Sequence, residues 1–335
     1  MTKVAINGFG RIGRAVFKIL LDNYANIEVV AINDLTDIKN LAYLLEHDTM
    51  YGRYPRKIKA TADGLIVDGK KFKVLAEKNP ALLPWEELGV AIVLECTGLF
   101  RTKEKANAHL VAGAKKVIIS APGKGGDIPT YVLGVNDKKL KKSDRIISNA
   151  SCTTNSIAPV TKILEEKLGV KKVMMTTIHA YTAGQNLIDG PNKDFRRGRA
   201  AAQNIVPTTT GAAIAATEVI PKLKGKFDGM SVRIPTAVVS LSDFVFLLKK
   251  KTTVSEVNKI FVQAKKRPEY KGILDVTEEP AVSSDFIGST FSTVVDLSLT
   301  KVVDGDLLKV VAWYDNEWGY SSRLADLTNL LAKKK

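Results

Sequence analysis

The chain has 335 residues, 45% of them apolar, which is enough to bury large cores and predicts about two domains. Its two cysteines exclude a disulfide-stabilised fold. No apolar run has the length of a membrane-spanning helix and the N-terminus lacks a signal-peptide pattern, so we expect a cytoplasmic protein without a membrane partner.

The formal net charge of +15 comes from 50 Lys and Arg against 35 Asp and Glu. This excess fits either a nucleic-acid-binding protein or a positive field that attracts anionic metabolites. Much of it is lysine in short clusters without interleaved aromatic residues, such as residues 138–142. That pattern favours a solvated surface, and weak secondary binding of nucleic acid stays open as the alternative of a different class.

The first half of the chain alternates β-type runs with helical spacing. A helix is predicted over residues 11–23, and Asp68-Gly69 predicts a hairpin turn within residues 65–74. Strands are predicted at residues 3–7, 27–32, 91–95, 116–120, 131–135 and 145–148. Strands separated by helices in this way predict a parallel, doubly wound α/β sheet.

The second half has longer strand-like runs and fewer helices. The clearest helical pattern among the later runs covers residues 254–266. Strands are predicted at residues 173–178, 230–234, 240–248, 290–299 and 307–314. We therefore expect an α+β domain with a mixed, largely antiparallel sheet, beginning near residue 151.

A glycine pattern, GxGxxG, at Gly8, Gly10 and Gly13 follows the first predicted strand and opens the first helix. In that context the glycines allow a tight turn, close approach of a pyrophosphate and close packing of helix on strand. Asp34 ends the second strand, where a carboxylate bonds a ribose 2′-hydroxyl and repels a 2′-phosphate. The pattern predicts a Rossmann-type domain that binds NAD in preference to NADP.

Cys152 stands at the start of a helical pattern, among small polar residues. A thiolate at a helix N-terminus is stabilised by unpaired amides and the helix dipole, so we expect a lowered pKa and a nucleophilic sulfur. Without a further signal, a capping turn that happens to contain a cysteine explains the pattern better. Cys96, in contrast, ends an apolar run, and a lone cysteine is usually a small buried hydrophobe.

Three histidines are available as a base. His109 lies inside a predicted helix and His47 in a polar segment, whereas His179 follows a strand, where catalytic groups of α/β proteins are often placed. A neutral imidazole takes a proton and an imidazolium stabilises a thiolate, but an exposed strand-end histidine explains His179 equally well. Nothing in the sequence groups His, Cys, Asp and Glu into a metal site.

Two segments have the composition of anion sites. Residues 208–211, Thr-Thr-Thr-Gly, precede an alanine-rich helix, and four arginines supply forked donors that suit phosphate. These are Arg196, Arg197, Arg199 and Arg233. Together the segments suggest a phosphorylated substrate.

Five motifs occur in an order and spacing that resemble phosphorylating glyceraldehyde-3-phosphate dehydrogenases. They are INGFGRIGR (6–14), SNASCTTN (148–155), HAYT (179–182), TTTGAA (208–213) and WYDNEWGYS (313–321). The resemblance covers essentially the whole chain. It implies NAD-dependent oxidation of D-glyceraldehyde 3-phosphate with inorganic phosphate to 1,3-bisphosphoglycerate, through a hemithioacetal and a thioester.

The same resemblance implies roles for individual residues. Cys152 would be the nucleophile, and His179 would manage the proton. The cofactor would be contacted by Gly8, Gly10, Arg11, Ile12, Gly13, Asp34, Thr97, Ser120, Asn316 and Tyr320. The substrate phosphate would be held by Thr182 and Arg233, and the attacking phosphate by Ser151, Thr153, Thr210 and Gly211.

Domain limits and assembly also follow from the resemblance. It implies a nucleotide-binding domain over residues 1–150, completed by a C-terminal helix at 317–335, and a catalytic domain over 151–316. Relatives of this kind are homotetramers, with a loop matching about residues 181–203 at a subunit interface.

The chain departs from the family pattern in that loop. Gly184 stands where many relatives have Asp, Asn192 where His is common, and Gly190 where NAD-preferring members often have Leu. An erythrose-4-phosphate dehydrogenase, which has nearly the same motifs, is the enzymatic alternative.

Overall fold

The computed structural model describes residues 1–333, which form two compact units. Unit 1 contains residues 1–131, 138–150 and the segment from Ser321 onward, and unit 2 contains residues 132–137 and 151–320. The last two residues of the predicted C-terminal helix lie outside the described part of the chain.

Unit 1 is built on an eight-stranded sheet within the described residues. Its helices are α1 (Arg11–Asn23), α2 (Ile38–Glu46) and α3 (Lys103–Val111). Its strands are β1 (Thr2–Asn7), β2 (Ile27–Asn33), β3 (His47–Asp48), β4 (Gly52–Arg53), β5 (Ile58–Ala60), β6 (Gly64–Val67), β7 (Lys70–Leu75), β8 (Ile92–Glu95), β9 (Lys116–Ile119) and β10 (Ile146–Ser148), of which β3 and β4 form a separate ribbon.

The strand order in that sheet is β10-β9-β8-β1-β2-β7-β6-β5, parallel from β10 to β7 and antiparallel beyond it. This confirms the predicted doubly wound sheet. The antiparallel part begins at the predicted hairpin, where Asp68 and Gly69 both have positive φ, 48° and 83°. Such a turn matches the right-handed twist of the flanking strands.

The prediction of a strand at residues 131–135 was wrong. This segment forms turns: the amide of Val135 bonds the carbonyl of Val132, and Gly134 has a φ of 77°. The apolar run reads like a buried strand because Tyr131, Val132 and Leu133 are all buried. A single bridge from Thr130 to Ser148 is the extent of its pairing in the described chain.

Unit 2 contains a seven-stranded sheet within the described residues. Its helices are α4 (Cys152–Lys167), α5 (Ala212–Val219) and α6 (Val254–Ala264), and a last helix, α7 (Trp318–Lys333), begins in it. Its strands are β11 (Val170–Ala180), β12 (Val206–Thr209), β13 (Phe227–Ile234), β14 (Ser240–Leu248), β15 (Leu274–Thr277), β16 (Thr293–Val303) and β17 (Leu307–Tyr314).

The order of this sheet is β12-β13-β11-β14-β17-β16-β15. Two pairs, β11 with β13 and β15 with β16, are parallel, and the other four are antiparallel. The predicted mixed, largely antiparallel sheet is confirmed. Helices α4, α5 and α6 pack against its strands and cover apolar side chains such as Val173 and Phe244.

From Ser321 onward, helix α7 belongs to unit 1. Asp326 accepts a hydrogen bond from the Tyr24 hydroxyl and pairs with Arg323 at 2.7 Å. Asn26 donates to Asn329 at 2.9 Å. These contacts tie the C-terminal helix to the turn between α1 and β2. None of the helices formed by residues 1–333 is both long and apolar enough to span a bilayer.

Candidate active site

The predicted cofactor residues of unit 1 follow the carboxyl ends of four parallel strands. Gly8 follows β1, Asp34 follows β2, Thr97 comes after β8, and Ser120 follows β9. Gly8, Asp34 and Thr97 line a groove of about 420 Å³ together with Asn7 and Phe100. Crevices at this edge of a doubly wound sheet are where such folds bind ligands.

The glycine loop has the geometry that a pyrophosphate needs. Gly8 has a φ of 91°, which other residues rarely adopt, and a Cβ on Gly13 would lie 2.1 Å from the carbonyl oxygen of Gly8. A Cβ on Gly10 would meet nothing within 4 Å, and Gly10 provides no side-chain cap to α1. The open helix N-terminus therefore fits a bound dinucleotide.

The side chain of Asp34 is held in a fixed orientation. Its two oxygens accept hydrogen bonds from the amides of Phe9 (2.6 Å) and Thr36 (2.9 Å). Arg11, the first residue of α1, pairs with Asp48 at 2.7 Å, and Ile12 follows it in the helix. Any contact of Arg11 with a pyrophosphate is therefore better made by its backbone than by its paired side chain.

In unit 2, Cys152 is the first residue of α4. Ser151 caps the helix, because its hydroxyl accepts a hydrogen bond from the amide of Thr154 at 3.0 Å. The sulfur of Cys152 lies 3.6 Å from Nε2 of His179 and 3.9 Å from the hydroxyl of Thr153. The structure thus supplies the coupling between thiol and imidazole that the sequence left open.

His179 is the penultimate residue of β11 and is paired in register with Arg233 on β13. Its Nδ1 is 2.7 Å from the carbonyl of Ala180 and 2.8 Å from Nη1 of Arg233. A carbonyl only accepts and a guanidinium only donates, so Nδ1 bonds one of the two at a time. When it donates to Ala180, Nε2 presents a lone pair to the sulfur of Cys152.

The expectation of a lowered pKa for Cys152 was wrong for the thiol taken alone. Burial raises its pKa, although the Arg233 charge and the Thr153 hydrogen bond oppose this. Burial also lowers the pKa of His179 to about 3, with the Arg233 charge acting in the same direction. Moving one proton from sulfur to Nε2 creates opposite charges only 3.6 Å apart, and their mutual attraction opposes this burial penalty.

Cys96 differs from Cys152 in both contacts and electrostatics. Burial raises the pKa of Cys96 to about 12, and the negative charge of Glu95 adds to this shift. Both cysteines are free thiols. Only Cys152 combines a helix N-terminus, an imidazole and a nearby guanidinium, so it is the candidate nucleophile.

Two residues beside this pair were not assigned from the sequence. The hydroxyl of Tyr314 lies between those of Thr153 (3.0 Å) and Thr177 (2.8 Å). Ser240 accepts from the amide of Ala180 at 3.1 Å and donates to Asn316 at 3.1 Å. Tyr314 is part of the WYDNEWGYS motif, which signalled its importance without its role, whereas nothing in the sequence marked Ser240.

Besides Ser151 and Thr153 at the start of α4, the predicted phosphate residues lie at three further places in unit 2. Thr182 is exposed just beyond β11, while Thr210 and Gly211 precede α5, where the Thr210 hydroxyl accepts from the amide of Ala212. Arg233 stands beside His179, and within residues 1–333 its Nε is buried without a hydrogen-bond partner. A buried donor without a partner is costly, so an anionic ligand at Arg233 would satisfy it.

The positions that depart from the pattern of the family the chain resembles, Gly184, Gly190 and Asn192, lie in one loop. Asn192 donates to the carbonyl of Gly184 (3.2 Å) and to Oδ1 of Asn186 (3.3 Å). A Cβ on Gly190 would lie 2.8 Å from Nδ2 of Asn186. The loop therefore holds Asn186 in space that a leucine at position 190 would need.

Tyr320, the remaining predicted cofactor residue, is buried in the first turn of α7. In the described residues, no three His, Cys, Asp or Glu side chains are arranged to hold a metal ion.

Comparison with known proteins finds a family match in each of the two units. Residues 2–103 match the family profile described as the glyceraldehyde 3-phosphate dehydrogenase NAD binding domain, and residues 151–316 match the C-terminal domain of the same family. The chain belongs to the glyceraldehyde-3-phosphate dehydrogenase family. This confirms the resemblance stated from the five motifs.

Bacterial members of this family are similar to the chain along nearly its whole length. The glyceraldehyde-3-phosphate dehydrogenase of Thermotoga maritima is 55% identical over 99% of this chain and 100% of its own. That of Geobacillus stearothermophilus is 54% identical over 99% and 98%, and that of Streptomyces coelicolor 53% over 97% of each.

Proposed function

We propose that this chain oxidises D-glyceraldehyde 3-phosphate with NAD and inorganic phosphate, giving 1,3-bisphosphoglycerate. The observation that carries the proposal is the 3.6 Å contact between the Cys152 sulfur and Nε2 of His179, in a chain of this family. The half-buried Arg233 beside that pair, whose buried Nε has no hydrogen-bond partner within residues 1–333, supports a phosphorylated substrate. The two free thiols favour a reducing, cytoplasmic setting.

Acylation begins when Nε2 of His179 takes the thiol proton and the sulfur attacks the aldehyde carbon. The imidazolium returns the proton to the oxyanion, which gives a hemithioacetal on Cys152. NAD, when bound, supplies the acceptor for the hydride that leaves this carbon. His179 takes the hydroxyl proton as the hydride departs, and a thioester of Cys152 results.

Deacylation requires inorganic phosphate to bind beside the thioester on Cys152. Phosphate attacks the thioester carbon, the Cys152 thiolate leaves, and the acyl phosphate is released. This phosphate suits two sets of donors. Hydroxyls are supplied by Ser151 and Thr153, and the N-terminus of α5 adds a hydroxyl and amides at Thr210 and Gly211. The thiolate leaving group is stabilised at the N-terminus of α4. Attack by water instead of phosphate on the thioester carbon would release the acid and form no acyl phosphate.

Activity with and without phosphate tests this function. With glyceraldehyde 3-phosphate and NAD, we expect steady formation of NADH, measured by absorbance, only when phosphate is present. Without it, about one NADH per active chain should form, because the thioester accumulates. A higher rate with erythrose 4-phosphate, or steady turnover without phosphate, would contradict the proposal.

Asp34 is proposed to select NAD through the ribose 2′-hydroxyl. Asp34→Ala removes the carboxylate that would repel a 2′-phosphate, so kcat/KM for NADP should rise relative to NAD by about tenfold or more. Initial rates with each cofactor measure the ratio. Asp37→Ala, which removes the N-cap of α2 nearby in sequence, is the control and should leave the ratio unchanged.

We propose that the chain assembles as a homotetramer. One face of the unit 2 sheet exposes Met174 (61%), Met230 (42%) and Val245 (38%), and Met174 is the cross-strand partner of Val245. The loop at residues 181–203 also exposes Leu187, Ile188 and Phe195. Apolar patches of this kind mark protein interfaces. A solution mass equal to one chain would contradict this assembly.

A further inference from the structure

A line of buried polar side chains runs beneath the groove of unit 1 and has no part in the chemistry proposed above. At its centre, Oε2 of Glu95 lies 3.1 Å from Nε2 of His109, and both side chains are completely buried. Glu95 is the last residue of β8, and His109 lies in α3. Such groups are rarely buried without a structural or functional reason.

The orientation of His109 follows from its second neighbour. Trp85, also buried, places its indole N–H 3.1 Å from Nδ1 of His109. An indole nitrogen only donates, so Nδ1 accepts and the proton of the neutral ring sits on Nε2, pointing at Glu95. Trp85 therefore fixes His109 as a donor to the carboxylate.

Each oxygen of Glu95 faces donors. Oε2 also accepts from Nδ2 of Asn7 at 2.6 Å. Oε1 accepts from the amide of Thr97 at 2.9 Å and from the Thr97 hydroxyl in a short hydrogen bond. A carboxylate accepts at all of these positions, whereas an amide side chain would turn its NH₂ group toward two donors.

The residues that Glu95 holds form the walls of the groove. Asn7, Thr97 and Gly8 all line it, and Asn7 passes the network on by accepting from Asn33 at 2.7 Å. A Cβ on Gly8 would lie 2.7 Å from the amide nitrogen of Thr97. The backbone that Glu95 anchors is thus packed directly against the glycine loop.

We propose that Glu95 is a positioning residue of the dinucleotide site, held by His109 and acting through Thr97 and Asn7. It orders the strand ends around Gly8 before the ligand arrives, so that less ordering is required on binding. The inference rests on the proposed function only in taking NAD as the ligand. Because Glu95 lies below the walls, it should affect the strength of binding and not the choice between NAD and NADP.

The test compares Glu95→Gln with a matched loss of a buried carboxylate in unit 2. Asp296 on β16 accepts from Nε1 of Trp313 (3.1 Å) and from Ser298 (2.6 Å), so Asp296→Asn is the control. Calorimetric titration of each full-length protein with NAD should show a Kd raised about tenfold for Glu95→Gln and unchanged for Asp296→Asn. The Kd for NADP should rise in proportion, unlike in Asp34→Ala.

A pair of substitutions at His109 keeps the test valid if Glu95→Gln does not fold. A glutamine in His109→Gln can still accept from Trp85 and donate to Glu95, so NAD affinity should stay within about twofold of the original. His109→Leu leaves Glu95 without that donor and should weaken binding severalfold. Equal NAD affinity in these two variants, each checked for a cooperative thermal transition, would overturn the role of the network.

The result also separates this inference from the proposed function. A folded Glu95→Gln protein that binds NAD like the original, or no more weakly than Asp296→Asn does, overturns the inference and leaves the proposed activity intact. An original protein that binds NAD but does not oxidise glyceraldehyde 3-phosphate overturns the proposed activity and leaves the inference intact.

Discussion

Cys152→Ser is expected to lose NADH formation from glyceraldehyde 3-phosphate by about four orders of magnitude or more while binding NAD with unchanged affinity. A serine hydroxyl at the start of α4 keeps the helix but is far harder to deprotonate than a thiol. The residues proposed to hold NAD in the groove of unit 1 remain in place. Steady-state rates and calorimetric titration with NAD measure the two halves of this result.

The second cysteine provides the matched control. Cys96→Ser changes a thiol whose pKa is raised to about 12 and that has no place in the proposed chemistry, so it should retain most of the activity. Iodoacetamide should also label the original protein at Cys152 alone, as shown by peptide mass. A Cys152→Ser protein with a near-normal rate would mean that another group is the nucleophile.

His179→Asn is expected to lower kcat by about a hundredfold or more and to move cysteine reactivity to higher pH. Burial raises the pKa of Cys152, and His179, 3.6 Å from the sulfur, is the group proposed to take its proton. Without that partner, a smaller fraction of the sulfur is ionised at neutral pH. The rate of alkylation by iodoacetamide from pH 5 to 10, measured for both proteins, gives the shift directly.

A histidine outside the site serves as the comparison. His47 lies in the short ribbon of unit 1 with a partly exposed side chain, so His47→Asn should leave both kcat and the alkylation profile unchanged. If the profile of His179→Asn matched the original, the imidazole would have no part in activating Cys152. A lowered kcat with an unchanged profile would restrict His179 to the oxyanion steps.

Elements with one clear periodicity were predictable. Helix α1 occupies the predicted residues because its apolar positions repeat with the helical period and Gly13 allows it to approach β1. The parallel strands of unit 1 were recognisable as short apolar runs between helices. The run at residues 131–135 shares that composition but forms turns, since burial alone does not distinguish a strand from a buried turn.

The candidate site was predictable only as separate pieces. The chemistry of a thiol at a helix start, a histidine at a strand end and clustered arginines follows from residue types. Their proximity does not, because Cys152 comes from helix α4, His179 from β11 and Arg233 from β13. The two strands pair, and the helix packs on the sheet, only in the folded unit. The hydrogen bonds of Tyr314 to Thr153 and of Ser240 to Asn316 likewise could not be predicted from the sequence.

Local periodicity and motifs a few residues long were enough to predict the two sheet types, the glycine loop with Asp34, and the family. Folding was needed to show which histidine meets Cys152, that burial raises the pKa of its thiol, and that Glu95 and His109 meet beneath the groove. Those properties depend on distance and burial, which are set by strand register and packing between segments far apart in the chain.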